Sequence, residues 1–397
     1  MSTAAAAPRR TPVCIIGAGP AGLLLARLLR LSGIESVVLE RRSREHVARR
    51  VRAGLLEQGT VQTLRTAGVG ARLDREGLEH HGFRWRLPDG SAHRMPFAEL
   101  CGASVWMYGQ QEVVKDLLAA HTAEQSLYFG VEDVRIAELR PDGALVRCTL
   151  DGRLTEIACD FVAGCDGFHG VSRPAVPAGE LTGHRLDHPV AWLGVLAAAP
   201  PLSPELIYAV SDRGFALQSM RSPTVSRLYL SVPPGEGVDH RTDAEIRQEL
   251  DRRLTGGAGT LPTGPILERV LVPLRSFVAE PMQYRRLFLV GDAAHIVPPS
   301  AAKGLNLAVA DARLLAEALD GWYAHGRREL LDGYSATALR RAWQGQEFSA
   351  AMTALLHPTP QESAFDRRLR GARFERLLSS TAEATAFAEQ YTGLARR

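Results

Sequence analysis

The chain has 397 residues, 45% of them hydrophobic, and 47 Lys and Arg nearly balance 44 Asp and Glu for a formal charge of +3. That length supports about two or three domains and a large core. The near balance, with no basic run interleaved with aromatics, argues against nucleic acid as a partner, and no apolar run is long enough to span a membrane.

The five cysteines, Cys14, Cys101, Cys148, Cys159 and Cys165, are scattered and form no C-x-x-C pair. This argues against zinc or any other metal, a redox dithiol or a disulfide framework, and fits a reducing cytoplasm. Residues 1–11 place their arginines after the apolar residues, the wrong order for a signal peptide.

Residues 13–16 are a short apolar run, followed at once by Gly17-Ala18-Gly19-Pro20-Ala21-Gly22 and a helix-forming stretch that Gly33 stops. A buried strand feeding a glycine turn and a helix is a dinucleotide-binding start. Gly17 serves the tight turn, Gly19 lets the backbone approach a pyrophosphate, and Gly22 lets helix and strand pack. The anion then lies at the helix N-terminus, where free N–H groups and the dipole favour it. The second strand, 36–39, ends on Glu40, an acid placed to accept from a ribose hydroxyl. The glycine pattern alone does not separate FAD from NAD.

The basic stretch 41–52 follows Glu40. Its end, Arg49-Arg50-Val51-Arg52-Ala53-Gly54, reads equally as a solvated charged face or as a phosphate or flavin contact. A helix is expected from Leu55 to Ala67. His80 and His81 precede a hairpin, 83–86 and 91–95, turned by Asp89-Gly90. Leu/Val spacing predicts a helix over 111–121. Strands are expected at 127–129, 134–139, 144–150 and 154–163, the last running into Gly164-Cys165-Asp166-Gly167.

From about Trp192 the chain turns β-rich, with strands at 192–199, 205–210, 215–220 and 227–232 forming a distinct antiparallel sheet. A helix is expected over 242–254 and a loop over 255–264. Strand 286–290 runs into Gly291-Asp292, a second turn suited to an anion, where Asp292 can reach a ribitol hydroxyl. A long helix to about Leu319 and a mostly helical C-terminal part complete the chain.

The glycine fingerprint at 17–22, Asp166-Gly167 and Gly291-Asp292 together resemble the group A FAD-dependent aromatic hydroxylases. The resemblance runs from about Val13 to Leu394 and narrows to those members that act on 4-hydroxybenzoate, through the stretches 52–59, 163–170, 205–209, 213–217, 273–278 and 291–299. It implies an α/β chain with a Rossmann-like FAD-binding domain at 1–181 carrying a small hairpin insertion. An antiparallel substrate domain at 182–275 and a flavin-binding Gly-Asp motif with C-terminal helices at 276–397 follow.

By the same resemblance, Gly17, Gly19, Gly22 and Glu40 bind the ADP half of FAD, Asp292 the ribityl side, and Asp166 is linked to FAD and the pyridine nucleotide. Arg50, Val51, Arg52, Ala53, Gly54, Leu55, Gln110, Leu305 and Asn306 line the flavin. Arg221 pairs with the substrate carboxylate, helped by Ser219 and Tyr229, with Met220 beside them. Tyr208 meets the 4-hydroxyl, the Pro299 carbonyl faces the same end, and Tyr391 and His80 continue a proton path to solvent.

The implied reaction is NADPH- and O2-dependent hydroxylation of 4-hydroxybenzoate at C3 to 3,4-dihydroxybenzoate through a flavin C4a-hydroperoxide, by a homodimer; NADH is the alternative reductant. A phenolate reacts far better than a phenol, whose pKa is about 10 like that of tyrosine, so a route for the proton is needed. Two alternatives stand beside this: the same chemistry on a substituted substrate such as 3-amino-4-hydroxybenzoate (2-hydroxylation), or a non-catalytic flavin-binding protein. The last predicts degraded ring-binding positions, yet Tyr208, Ser219, Arg221, Tyr229 and Pro299 are all present. The chain departs from the family at Ser300-Ala301, where Thr-Gly is usual and alanine takes positive φ less readily. Gln218 and Met220 also differ and are expected to alter the pocket.

Overall fold

The computed structural model describes residues 10–50, 54–121, 126–257, 260–358 and 362–394. Strand Arg10–Ile16 is buried along most of its length, because Val13, Cys14 and Ile15 are wholly enclosed. It lies at the centre of a mainly parallel sheet, between strands Ser36–Glu40 and Arg153–Gly164. Strands Ser126–Phe129 and Leu287–Leu289 extend this sheet on either side, also in parallel. Helix Pro20–Leu31 covers it with a face of Leu23, Leu24, Leu25 and Leu29. Fully apolar central strands are what a parallel sheet covered on both faces requires.

The second sheet is built on two long strands, Thr182–Ala197 and Ile266–Glu280, antiparallel to each other. Val225–Val232, Gly214–Ser222 and Ile207–Ser211 follow in order. One face packs helix Asp243–Thr255 over Leu228, Leu230 and Ala216. The other face carries Tyr208, Phe215, Leu217 and Trp192 into a separate core shared with the C-terminal helices. The fold is thus α/β, with a Rossmann-like part, a largely antiparallel sheet and the C-terminal helices Tyr334–Leu356, Ala364–Ser379 and Thr381–Thr392.

Several expectations change. Leu55–Glu57 is a strand paired with Val105–Met107, and the helix begins only at Gln58. The hairpin Gly82–Arg86 and Ala92–Pro96 joins the second sheet, with Trp85 opposite Tyr208 in a parallel pair. Strand Ile266–Glu280 was not anticipated as such, and it runs through residue 275 without a break. The second glycine turn does not feed a helix directly. It is a 3-10 turn, Gly291–Ala293, and the helix Lys303–His325 starts after a short strand and a further turn.

Candidate active site

At the first turn Gly17 has φ +104°, and a Cβ there would lie 2.4 Å from the Cys165 carbonyl. Both facts restrict this position to glycine. A Cβ on Gly22 would meet the Gly17 carbonyl at 2.0 Å, so helix and turn could not close. Gly19 differs: its Cβ would meet no atom within 4 Å. The helix starts with Pro20, has no side-chain cap and no acid in its first turn, so its end keeps donors and positive potential for an anion. Glu40 is tied to this turn, accepting from the Ala18 N–H through Oε2 and from the Arg42 N–H through Oε1, each at 2.8 Å. A carboxylate has about four lone-pair sites, so Glu40 retains capacity for a ribose hydroxyl.

Asp166 Oδ2 accepts from the Val171 and Ser172 N–H groups and from Ser172 Oγ, at 2.6, 2.8 and 2.9 Å. Its Oδ1 is buried without a partner among the described residues. Burial raises its pKa, and the bonds from Ser172 only partly offset this. Asp292 is exposed on its 3-10 turn. Behind it Asp311 Oδ2 accepts the Gly291 N–H at 3.0 Å and lies 2.7 Å from His295 Nε2. Burial would depress His295, but the charge and hydrogen bond of Asp311 prevail and raise its pKa.

Around the expected flavin rim, Gly54 O accepts the Tyr108 N–H at 2.7 Å, and a Cβ on Gly54 would strike the Tyr108 carbonyl at 2.5 Å. Asn306 bridges the two parts of the chain: its amide donates to the Leu55 and Ala302 carbonyls, and its Oδ1 accepts from Glu57 N–H and Thr60 Oγ1. Leu305 is half-buried, Gln110 opens helix Gln110–Ala120, and Arg50 is exposed. Val51, Arg52 and Ala53 lie outside the described residues.

At the substrate end, pairing of Tyr208 with Leu217, Leu217 with Tyr229, and Ser219 with Arg227 sets these side chains on one sheet face. Arg221 follows on the same strand. Its guanidinium donates to the Met220 carbonyl at 3.2 Å, and its buried Nε has no partner among the described residues. Burial lowers its pKa, with the nearby Arg227 acting in the same direction and Tyr229 against it; arginine still stays charged at neutral pH. Gln218 points the other way, its amide oxygen accepting the Ser203 N–H at 3.1 Å, so it does not shape this face as expected. Met220 is buried in the aromatic core that also holds Tyr208.

Tyr208 and Tyr391, 183 residues apart, bring their hydroxyls to 2.8 Å. Both are buried, which raises both pKa values and keeps the pair neutral. Tyr391 stacks on Phe97 at 5.0 Å between ring centroids. His80 is buried and bonds to neither tyrosine; both ring nitrogens lack partners among the described residues, and burial holds its pKa at about 4. The Pro299 carbonyl accepts the Ala302 N–H at 3.0 Å. Positive φ falls on Ala302, at 53°, and not on Ala301, because the turn must unwind just before the helix at Lys303.

Residues that the sequence reading passed over also meet here. Arg227 is buried, 3.5 Å from Glu268 and 5.4 Å from the Tyr229 ring centroid. Its position two residues before Tyr229 on a strand was the available signal. Lys303 binds Glu57 at 2.6 Å and the carbonyls of Gln390 and Tyr391.

A parallel sheet with a glycine turn, an acid at the end of the second strand and a buried Asp166 oxygen without a partner among the described residues define a dinucleotide-binding protein. The FAD binding domain family model matches residues 10–349. The chain is 46% identical to p-hydroxybenzoate hydroxylase of Acinetobacter baylyi, covering 97% of this chain and 96% of that protein. It is 30% identical to 3-(3-hydroxy-phenyl)propionate/3-hydroxycinnamic acid hydroxylase 2 of Burkholderia vietnamiensis, over 92% of this chain and 67% of that one. Among solved structures, p-nitrophenol 4-monooxygenase from Pseudomonas putida has the same fold, with a TM-score of 0.82, 20% identity and coverage of 98% and 100%. The chain belongs to the FAD-dependent aromatic monooxygenases, the family that includes p-hydroxybenzoate hydroxylase, and FAD is its cofactor.

Proposed function

We propose that the protein hydroxylates 4-hydroxybenzoate at C3 to 3,4-dihydroxybenzoate, using NADPH and O2. The observation that carries this reading is the buried Tyr208–Tyr391 hydroxyl pair beside the sheet face of Ser219 and Tyr229, on the strand that continues to Arg221, whose buried Nε has no partner among the described residues. Bound FAD supplies the transfer of electrons from the pyridine nucleotide and the activation of oxygen. Gly17, Gly19, Gly22, Glu40, Asp166 and Asp292 would hold it, with Gly54, Leu55, Gln110, Leu305 and Asn306 at its flavin end.

Arg221 anchors the substrate carboxylate and Ser219 and Tyr229 complete that end, so the phenol is directed at Tyr208. Tyr208 cannot store the phenol proton, because burial disfavours any charge on it. It accepts that proton only as it passes its own to Tyr391, and the substrate is left as the more reactive phenolate. His80, neutral and buried, is the group proposed to carry the proton onward from Tyr391 toward solvent. The Pro299 carbonyl, which accepts the Ala302 N–H, would face the phenol.

Arg41 and Arg42, exposed beside Glu40, and Arg44 favour the 2′-phosphate of NADPH over NADH. The nucleotide cradle is drawn mainly from 1–181 together with the Asp292 turn, the substrate face mainly from 182–275 with the hairpin Gly82–Arg86 and Ala92–Pro96 beside it, and the closing helices from 276–397. The exposed Phe365 and Leu369 on helix Ala364–Ser379 suit contact between two copies in a homodimer. The free cysteines suit a reducing cytoplasm, and none of the described helices is long and apolar enough to cross a membrane. The test is a screen of aromatic acids for stimulated NADPH oxidation, with the product position identified. Stimulation by 4-hydroxybenzoate with 3,4-dihydroxybenzoate as product is expected; efficient turnover only of 3-amino-4-hydroxybenzoate would replace the substrate assignment.

A further inference from the structure

Tyr208 has one hydroxyl proton and two acceptors in reach: Tyr391 Oη at 2.8 Å and the Ser300 carbonyl at 3.4 Å. The two choices are different states of the pair. With the proton on the Tyr391 side, Tyr391 is the acceptor. With it on the Ser300 side, Tyr391 donates back; Tyr208 can still accept from the substrate phenol, as in the first state, but has no proton to pass to Tyr391. The position of one backbone carbonyl therefore biases the direction of the hydrogen-bond chain.

That carbonyl is held from behind. Ser300 is fully buried, and its Oγ lies 2.9 Å from Thr353 Oγ1 on helix Tyr334–Leu356. Thr353 spends its own proton on the Ser349 carbonyl at 2.7 Å. The Ser300 hydroxyl must then be the donor to Thr353, which fixes the Ser300 rotamer and with it the turn Pro299–Ala301. We propose that the Ser300 carbonyl is a branch acceptor of the Tyr208–Tyr391 relay, and that Thr353 is a positioning residue acting on it through the Ser300 hydroxyl. The proposal rests on the hydroxylase reading above.

The variants are Thr353→Val, nearly isosteric without the hydroxyl; Thr353→Ser, which restores it; and Ser300→Ala, which removes only the donor. The readouts are the pH at which bound 4-hydroxybenzoate becomes phenolate, followed by absorbance, and hydroxylated product per NADPH consumed. Loss of the Thr353 hydroxyl loosens this competing acceptor, so Thr353→Val is expected to lower the phenolate transition by about one pH unit, a tenfold change in ionisation. Product per NADPH, KM for the substrate and FAD content stay near wild type. Thr353→Ser restores the wild-type transition, and Thr353→Val added to Ser300→Ala has no further effect, because both act through one bond. An unchanged or raised transition in Thr353→Val overturns the proposal. If that variant fails to hold FAD, Ser300→Ala carries the same test, since the Thr353–Ser349 bond survives in it. Tyr208→Phe is measured in parallel: full coupling there removes the relay itself, a result distinct from failure of the Thr353 effect alone.

Discussion

Arg221 combines a fixed charge, burial and an Nε without a partner among the described residues in one side chain. Truncating it removes the partner of a desolvated carboxylate, which costs about 2–5 kcal/mol of binding. Arg221→Ala is therefore expected to weaken substrate binding by at least about thirtyfold while FAD stays bound; near-wild-type affinity in a binding titration would take Arg221 out of the site. Tyr208 should behave differently. Tyr208→Phe loses one neutral hydrogen bond, worth about 0.5–1.5 kcal/mol, so affinity changes little. The phenol loses its first proton acceptor, so hydroxylated product per NADPH falls and hydrogen peroxide rises. Tyr391→Phe should show a milder form, since it breaks the path one step later and leaves the Tyr208 hydroxyl to bond the phenol. If Tyr208→Phe keeps full coupling, the proton leaves by another route.

At the level of elements, the two glycines of the first turn separate folding from cofactor binding. Gly22→Ala forces a Cβ to 2.0 Å from the Gly17 carbonyl, an overpacking cost of about 1–3 kcal/mol. Gly19→Ala meets nothing and has an ordinary φ of −71°. Gly22→Ala is expected to lower both the melting temperature of the apoprotein and FAD content, and Gly19→Ala to lower FAD affinity alone. Equal FAD affinity for Gly19→Ala and wild type would contradict a pyrophosphate passing that glycine. This turn was legible in the sequence because its constraint is local: glycine spacing between an apolar strand and a helix. Long-range pairing was not. Leu55–Glu57 reads as helix until Val105–Met107 is known to lie beside it. Pro273 disguised strand Ile266–Glu280, and the sheet accommodates it opposite Ala191, at the end of a register shift. Tyr208 and Tyr391 were joined beforehand only by resemblance; no pattern links residues 183 positions apart. Ser300 stood out only as a departure from the family pattern and Thr353 not at all, since a buried hydroxyl pair has no sequence period.

Across the described residues, four buried histidines give stability a pH dependence of calculable sign, His80, His121 and His357 on one side and His295 on the other. His80 is held at about 4 and His357 at about 3, both by burial, against 6.5 in the unfolded chain. For His357 the geometry agrees: Trp192 Nε1 donates to His357 Nε2 at 3.0 Å, which requires that nitrogen to be unprotonated. As pH falls through 6.5 the unfolded chain takes up these protons and the folded chain does not. Stability is full above 6.5 and declines below it, by about 2 kcal/mol for each histidine by pH 4.5. That window lies above the 4.5 of an unperturbed glutamate, so carboxylates with lowered values such as Glu205 and Glu249 contribute mainly further down. His295 has the opposite sign. Its folded pKa is raised by Asp311, so its contribution is present below 6.5 and is lost as pH rises through the folded value. Urea unfolding of the holoprotein between pH 4.5 and 8 should therefore show a steep acid limb and a shallower alkaline one. His80→Asn should make the first less steep, leaving the His121 and His357 parts, and not change the second, and His295→Asn should flatten the second and leave the first. A flat profile from pH 7 to 5 would mean that His80 and His357 are solvated enough to titrate normally, and the closed aromatic core around Tyr391 would have to open in solution.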